Sequence, residues 1–379
     1  MEKVAVEKCE SYDENILEKV EALVSRLGGI NNFINEGDKV VLKVNLLMGK
    51  SPDKAVTTHP ELVRAVVKII KNAGGIPIIA DSPGGPFNQL NLSRGYKLSG
   101  FEKIAEEENI ELNYDTSGEK KRFNRGKIKK SFTIANFINN ADLVINLPKL
   151  KTHGLTKYTG AVKNLFGTIP GMLKAEYHLN LQRIDHFSDM LVDLALLINA
   201  DLTIMDAVTG MEGNGPSGGK SKNFGYLLSS TSPFAVDVAG TYLMGISPQR
   251  DVPTISAASE RNIVSDISDI EIIGDKINPK NDTKIPEIEK TSNLIDQKLP
   301  EPLSNIAAYF LRPRPIFDHD KCVGCGECVE SCPADTIILK DGQAVVDLND
   351  CIRCFCCQEM CRYNAVDIKR PLLGKLFFS

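Results

Sequence analysis

The chain has 379 residues, 42% apolar and 25% charged, with a formal net charge of -4. That length leaves room for two domains, and the slightly acidic balance excludes a general nucleic-acid-binding role. The most apolar stretch, 190–205, is interrupted by Asp193, Asn199 and Asp201 and is excluded as a membrane span. The opening residues MEKVAVEKCESYDEN lack the apolar core of a signal peptide, so the expected location is cytoplasmic.

In chain order, apolar periodicity predicts a helix over 15–27, a strand over 40–44, a helix over 60–72 and a strand over 76–80. Strands at 143–147 and 202–205 follow, with helices at 187–198 and 233–244. Pro60 at a helix start, and Gly74 and Gly75 just beyond its end, fit the asymmetry of helix termini. Strands alternating with helices imply an α/β fold, a mostly parallel sheet with helices on both faces, over residues 1–275. Residues 276–316 mix prolines with charged and amide side chains and form a connector in this reading, with a short helix possible at 306–311. A small α+β module spans 317–370, and an apolar tail, 371–379, is expected to pack back on the protein.

Nine of the ten cysteines lie between Cys322 and Cys361. A disulfide scaffold would spread its bridges across the fold, so this crowding points to metal ligands. Cys322, Cys325, Cys328 and Cys332 recur as Cys351, Cys354, Cys357 and Cys361. Two-residue gaps wrap three thiolates around one iron–sulfur cube, and the fourth cysteine, after a three-residue gap, reaches the other cube. The spacing assigns Cys322, Cys325, Cys328 and Cys361 to one [4Fe–4S] cluster and Cys351, Cys354, Cys357 and Cys332 to a second. Paired zinc sites would need separated Cys-x-x-Cys pairs instead. The module resembles bacterial two-cluster ferredoxins, which implies electron transfer. Two features depart from the repeat. Arg362 stands where the first copy has Pro333, a cation suited to stabilising a reduced cluster. Cys356 has no ligand slot, and packing or exposure is its expected role.

In an open α/β sheet, ligands bind beyond the carboxyl ends of the strands. Polar residues gather there: Lys43 just inside the end of the first predicted strand and Asn45 beyond it, and Asp81 before the turn 82–85 after the second. Lys149, Lys151, Thr152 and His153 follow the third, and Asp206 with the glycine-rich stretch 210–219, including Glu212 and Asn214, follows the fourth. If the strands are parallel, these groups share one rim. The glycine-rich stretch matches neither the Walker nor the dinucleotide pattern.

The motifs Asp81-Ser-Pro-Gly-Gly85, Leu147-Pro-Lys-Leu-Lys-Thr-His153, Lys157-Tyr-Thr-Gly-Ala-Val-Lys-Asn-Leu-Phe-Gly167 and Gly210-Met-Glu-Gly-Asn-Gly-Pro216 resemble those of the DUF362 family. In that family such a domain is often fused to a ferredoxin module. The resemblance spans most of 1–275, implies a shared site at these loops and brings Lys163 and Asn164 into it. A fainter similarity, over 40–86, is to lactate racemases, whose nickel-pincer cofactor is bound through Lys and His.

The expected function is an oxidoreductase that passes electrons between two clusters and a small anionic substrate. Lys43, Asn45, Asp81, Lys149, Thr152, Lys163, Asn164, Asp206, Glu212 and Asn214 would bind it. Lys151 and His153 would be catalytic, with His153 moving a proton, and Tyr158 is a secondary candidate. The alternatives are a non-enzymatic carrier that docks on a redox complex, and a metallocofactor assembly factor. The partner is then a redox protein or a small anion, with neither nucleic acid nor a membrane span.

Overall fold

The computed structural model describes residues 1–13, 15–286 and 313–369. The segment 306–311 and the tail 371–379 lie outside the described residues.

The strands in chain order are β1 (Glu2–Lys8), β2 (Lys39–Lys43), β3 (Ile76–Ala80), β4 (Glu111–Leu112), β5 (Gly118–Arg122), β6 (Ser131–Ala135), β7 (Leu143–Asn146), β8 (Lys149–His153), β9 (Lys157–Thr159), β10 (Leu202–Glu212), β11 (Lys220–Ser230) and β12 (Ile270–Gly274). Among the described residues, ten of these form one sheet, with the path β12-β1-β11-β10-β7-β2-β3-β4 and β8 and β9 beside β10; β5 and β6 make a separate hairpin. Pairing is mostly parallel, and β11 runs antiparallel between β1 and β10.

The chain builds β2, β3 and β4 in one direction, then returns to place β7 on the other side of β2. That reversal opens a crevice at the carboxyl ends of β2 and β7, where α/β sheets hold ligands. The register puts Lys43 opposite both Ala80 and Asn146, so the three strand ends are level.

Helix Pro60–Asn72 shows why the local pattern works. His59 Nδ1 caps the Glu61 amide, Pro60 occupies the first turn, and Gly74 ends the element at φ 84°. Its apolar stripe packs on one face of the sheet with helix Ile16–Ser25, while helices Ile184–Ile198 and Pro233–Leu243 cover the other. The two cores sit back to back across the sheet, as expected of a doubly covered α/β layer.

Residues of the expected connector belong partly to each side. Ile277 lies in the α/β core and the Lys284 amide donates to Glu212. On the far side, Arg314–Phe317 forms β13, which pairs with β16 (Val366–Lys369) of the C-terminal module. Between them lie β14 (Ile337–Lys340) and β15 (Gln343–Val346), a hairpin, and the one-turn helices Glu327–Glu330 and Cys356–Glu359.

Candidate functional site

Cysteines line two voids in the C-terminal module. Cys322, Cys325, Cys328 and Cys361 line one; Cys332, Cys351, Cys354 and Cys357 line the other, with Cys356 also in its wall. Each set takes three cysteines from one motif copy and the fourth from the other copy. Backbone amides of Ala344, Thr336 and Ala365 approach the sulfurs of Cys322, Cys332 and Cys361 at 3.4, 3.4 and 3.1 Å, the contacts a cluster thiolate accepts. These donor sets fit iron–sulfur cubes, which supply one-electron transfer. Arg362 is not a free cation beside them: its Nε lies 2.5 Å from Glu327 Oε1, an ion pair that ties the two motif copies together.

The candidate site is a cavity of about 100 Å³ walled by both domains. The α/β domain contributes Lys43, Asn45, Asp81, Ser82, Lys151, Lys163, Asn164, Lys174 and His178, and the C-terminal module contributes Ser331, Cys356, Glu359 and Met360.

A hydrogen-bond chain fixes one wall. Lys151 Nζ donates to Asn45 Oδ1 at 2.9 Å, Asn45 Nδ2 donates to Asn164 Oδ1 at 2.9 Å, and Asn164 Nδ2 donates to Asn146 Oδ1 at 2.8 Å. Lys151 also donates to the Val56 carbonyl, so both of these acceptors are neutral. Burial, reinforced by Lys163, pushes its ammonium down to about 7.

Lys43 and Asp81 form a buried pair at 2.7 Å, and Asp81 Oδ2 accepts from the Leu46 amide. Asp81 Oδ1 has no well-directed hydrogen-bond donor. Gly167 makes room for this pair, since a Cβ there would meet Asp81 Oδ1 at 2.2 Å and Lys43 Nζ at 2.7 Å.

Lys174 sits on helix Leu173–Asn180 and donates to the Ser82 carbonyl, Ser82 Oγ and the Ile169 carbonyl. Burial pushes it down to about 7. Ser82 Oγ also accepts from the Gly171 amide, which leaves its own proton to donate elsewhere. His178 stacks on Phe187 and burial lowers it to about 4, so it is neutral.

His153 does not line the cavity. Its Nδ1 accepts from the Leu155 and Thr156 amides, which places the ring proton on Nε2, 2.9 Å from Glu359 Oε1. The approach is oblique, and neither atom has a well-directed hydrogen-bond partner. Burial, then Lys163, lowers His153 to about 4. Burial alone would raise the Glu359 carboxyl, but Lys163, His153 and His178 hold it well below the usual carboxylate range.

Six of the sequence-predicted residues therefore meet at the cavity: Lys43, Asn45, Asp81, Lys151, Lys163 and Asn164. The others lie elsewhere. Lys149 Nζ is 2.8 Å from Asp206 Oδ2 and 2.9 Å from the Tyr12 hydroxyl, in a closed buried cluster. Tyr158 donates to Asp237. Thr152 bonds the Gly213 carbonyl, Glu212 accepts from the Lys284 amide, and Asn214 Nδ2 reaches Asp367 Oδ1 at 3.0 Å. The glycine-rich stretch is thus partly strand, through Glu212, and partly a clamp on the C-terminal module. Ser217 Oγ on the Gln358 carbonyl and Gln358 Nε2 on the Asn214 carbonyl complete that clamp. Lys174, His178 and Glu359 are missing from the sequence reading. A Lys–His pair four residues apart after Pro170-Gly171 was the available signal for the first two.

The family model described as Domain of unknown function (DUF362) matches residues 40–242, and a 4Fe-4S dicluster domain matches 314–362. The thylakoid-associated protein sll1697 of Synechocystis is 36% identical over 267 residues, 68% of this chain and 78% of that protein. A ferredoxin of Methanothermococcus thermolithotrophicus is 36% identical over 56 residues, 14% of this chain and 93% of its own length. The lactate racemase apoprotein of Thermoanaerobacterium thermosaccharolyticum superposes with a TM-score of 0.41 at 14% identity, covering 65% of this chain and 58% of that one. Among the described residues, no helix is long and apolar enough to cross a membrane. The C-terminal module marks an iron–sulfur electron-transfer protein, and the chain belongs to the DUF362 family.

Proposed function

We propose that the chain is an oxidoreductase in which two [4Fe–4S] clusters exchange electrons with a small anion held in the cavity between the domains. The observation that carries this reading is the charge of the cavity wall. Lys43 is matched by Asp81, but Lys151 and Lys174 bond only neutral acceptors, and Lys163 has no hydrogen-bond partner among the described residues. Glu359 supplies one opposing charge. Lys151 is fully buried, and Lys163 and Lys174 are half-buried, so an excess of cations there is costly and an anionic ligand offsets that cost through charge-assisted hydrogen bonds. Lys151, Lys163 and the Ser82 hydroxyl would hold the anion, with Leu47, Phe166 and Met172 packing on its apolar part. Neutral His178 lies in the same wall and is available to donate or accept a proton.

Anaerobically prepared full-length protein should carry about eight iron and eight sulfide per chain, as two four-iron cubes require. Zinc, or about four iron, would overturn the two-cluster assignment. Cys356→Ser should leave the iron content unchanged. Mass spectrometry of the anaerobic preparation should recover a small anion, at less than one equivalent after Lys151→Met. Recovery of a stoichiometric redox enzyme with no small molecule would favour the carrier reading instead.

A further inference from the structure

The two cysteine rings stand differently toward the cavity. Cys356 lines both the cavity and the void ringed by Cys332, Cys351, Cys354 and Cys357. One side chain therefore forms the partition between the second-motif ring and the candidate ligand. Ser331, next to Cys332, faces the same cavity. Among the described residues, the void ringed by Cys322, Cys325, Cys328 and Cys361 shares no lining residue with the cavity. Met360, the neighbour of Cys361, reaches the cavity by turning over Gly84, where an added Cβ would meet its sulfur at 2.5 Å. The first-motif void is instead lined by the exposed Val323, Leu339 and Tyr363; its exposed Cys325 meets the interdomain seam only in a neighbouring pocket, with Gly84, Ser331 and Met360 between it and the cavity.

We infer that the second-motif ring is the substrate end of the electron path, with Cys356 as the side chain between cluster and bound anion, and that the first-motif ring is the end that meets an external protein. The inference rests on the reading above that the cavity takes an anion and that both clusters are present. Electrons balance through that protein: each electron the bound anion gains is lost by an external one-electron carrier, or the reverse. The arrangement also accounts for a ninth cysteine that ligates nothing. A small, polarisable side chain keeps the partition one residue thick, whereas an aromatic ring would lengthen the path between cluster and ligand.

The test is an EPR-monitored redox titration of the anaerobic full-length holoprotein, wild type beside Lys163→Met. Lys163 belongs to the cavity wall and to the other domain, so its removal reports proximity across the interface rather than a change in a ligand loop. A lost cation makes the nearer cluster harder to reduce. The ligand variants Cys354→Ser and Cys325→Ser each alter the spectrum of their own cluster and so identify the signals. The expected result is a lower potential for the second-motif cluster in Lys163→Met and an unchanged potential for the first. A first-motif shift of equal or larger size, or no shift in either, overturns the inference. Lys151→Met serves as the second variant if Lys163→Met does not fold. Calorimetry with malonate, pyruvate and inorganic phosphate tests the anion reading separately: absence of binding of all three would remove that reading while leaving the potentials to judge the electron path.

Discussion

Lys149 and Lys151 lie two residues apart on β8, both fully buried, and their surroundings divide structure from function. Lys149 is held by Asp206 and by the Tyr12 hydroxyl, Tyr12 stacks on His59 with ring centroids 3.6 Å apart, and the His59 amide closes on Asp206 Oδ2. Every charge there has a partner inside the domain. Lys151 is held by an amide oxygen and a carbonyl, with a cavity beside it whose far wall belongs to another domain. Sequence position alone makes the two lysines equivalent. The placement of a single aspartate makes one a structural element and leaves the other with charge to offer a ligand.

Asp206→Asn should break the closed cluster and has the largest expected effect. It leaves Lys149 buried without its counter-charge and should cost about 3–5 kcal/mol of stability, read from a denaturant transition. A loss below about 1 kcal/mol would mean that Lys149 is neutral and the contrast is false.

Lys151→Met should do the reverse. Stability should hold or rise, while affinity for malonate should fall by about 1.5–3 kcal/mol in a calorimetric titration. The sign can be followed with pH. Lys151 titrates near 7 in the folded chain and near an ordinary lysine value when unfolded, so between those values the unfolded chain binds the extra proton. Lys151 therefore lowers stability most below pH 7, and the penalty fades as pH rises toward about 10.4. The gain from Lys151→Met should be larger at pH 6 than at pH 9. A gain independent of pH would show that Lys151 keeps an ordinary affinity for its proton.

Two glycines sharpen the same contrast between a closed and an open site. Gly167→Ala drives a methyl into the buried Lys43–Asp81 pair and should cost about 1–3 kcal/mol of stability. Gly84→Ala meets only the flexible thioether of Met360 and should cost less than about 1 kcal/mol. Equal costs would mean that the interdomain seam is packed as rigidly as the domain core.

Much of the α/β layer was legible because local rules decided it. Helix Pro60–Asn72 and strand β3 lie where periodicity and end signals put them. The rim was half legible. Strand ends on a level edge brought Lys43, Asn45, Asp81 and Lys151 together, since a parallel register does this without long-range information. Pairing partners far along the chain were not legible. Nothing near Lys149 announces Tyr12 or Asp206 as its neighbours, and nothing near His153 announces Glu359, because domain docking has no periodicity to betray it. β11 was hidden for a related reason: the glycines of 210–219 suggested a loop, whereas β10 continues through Gly210 to Glu212 before the turn.

Anion binding in the cavity through its uncompensated lysines decides between a ligand site and a docking seam. Malonate, pyruvate and inorganic phosphate titrated calorimetrically into anaerobic full-length protein, beside Lys163→Met, measure this. The account predicts saturable binding of at least one of the three at one site per chain, weakened more than about tenfold in the variant. Binding of equal strength in the variant, or no binding of any of the three, would contradict it.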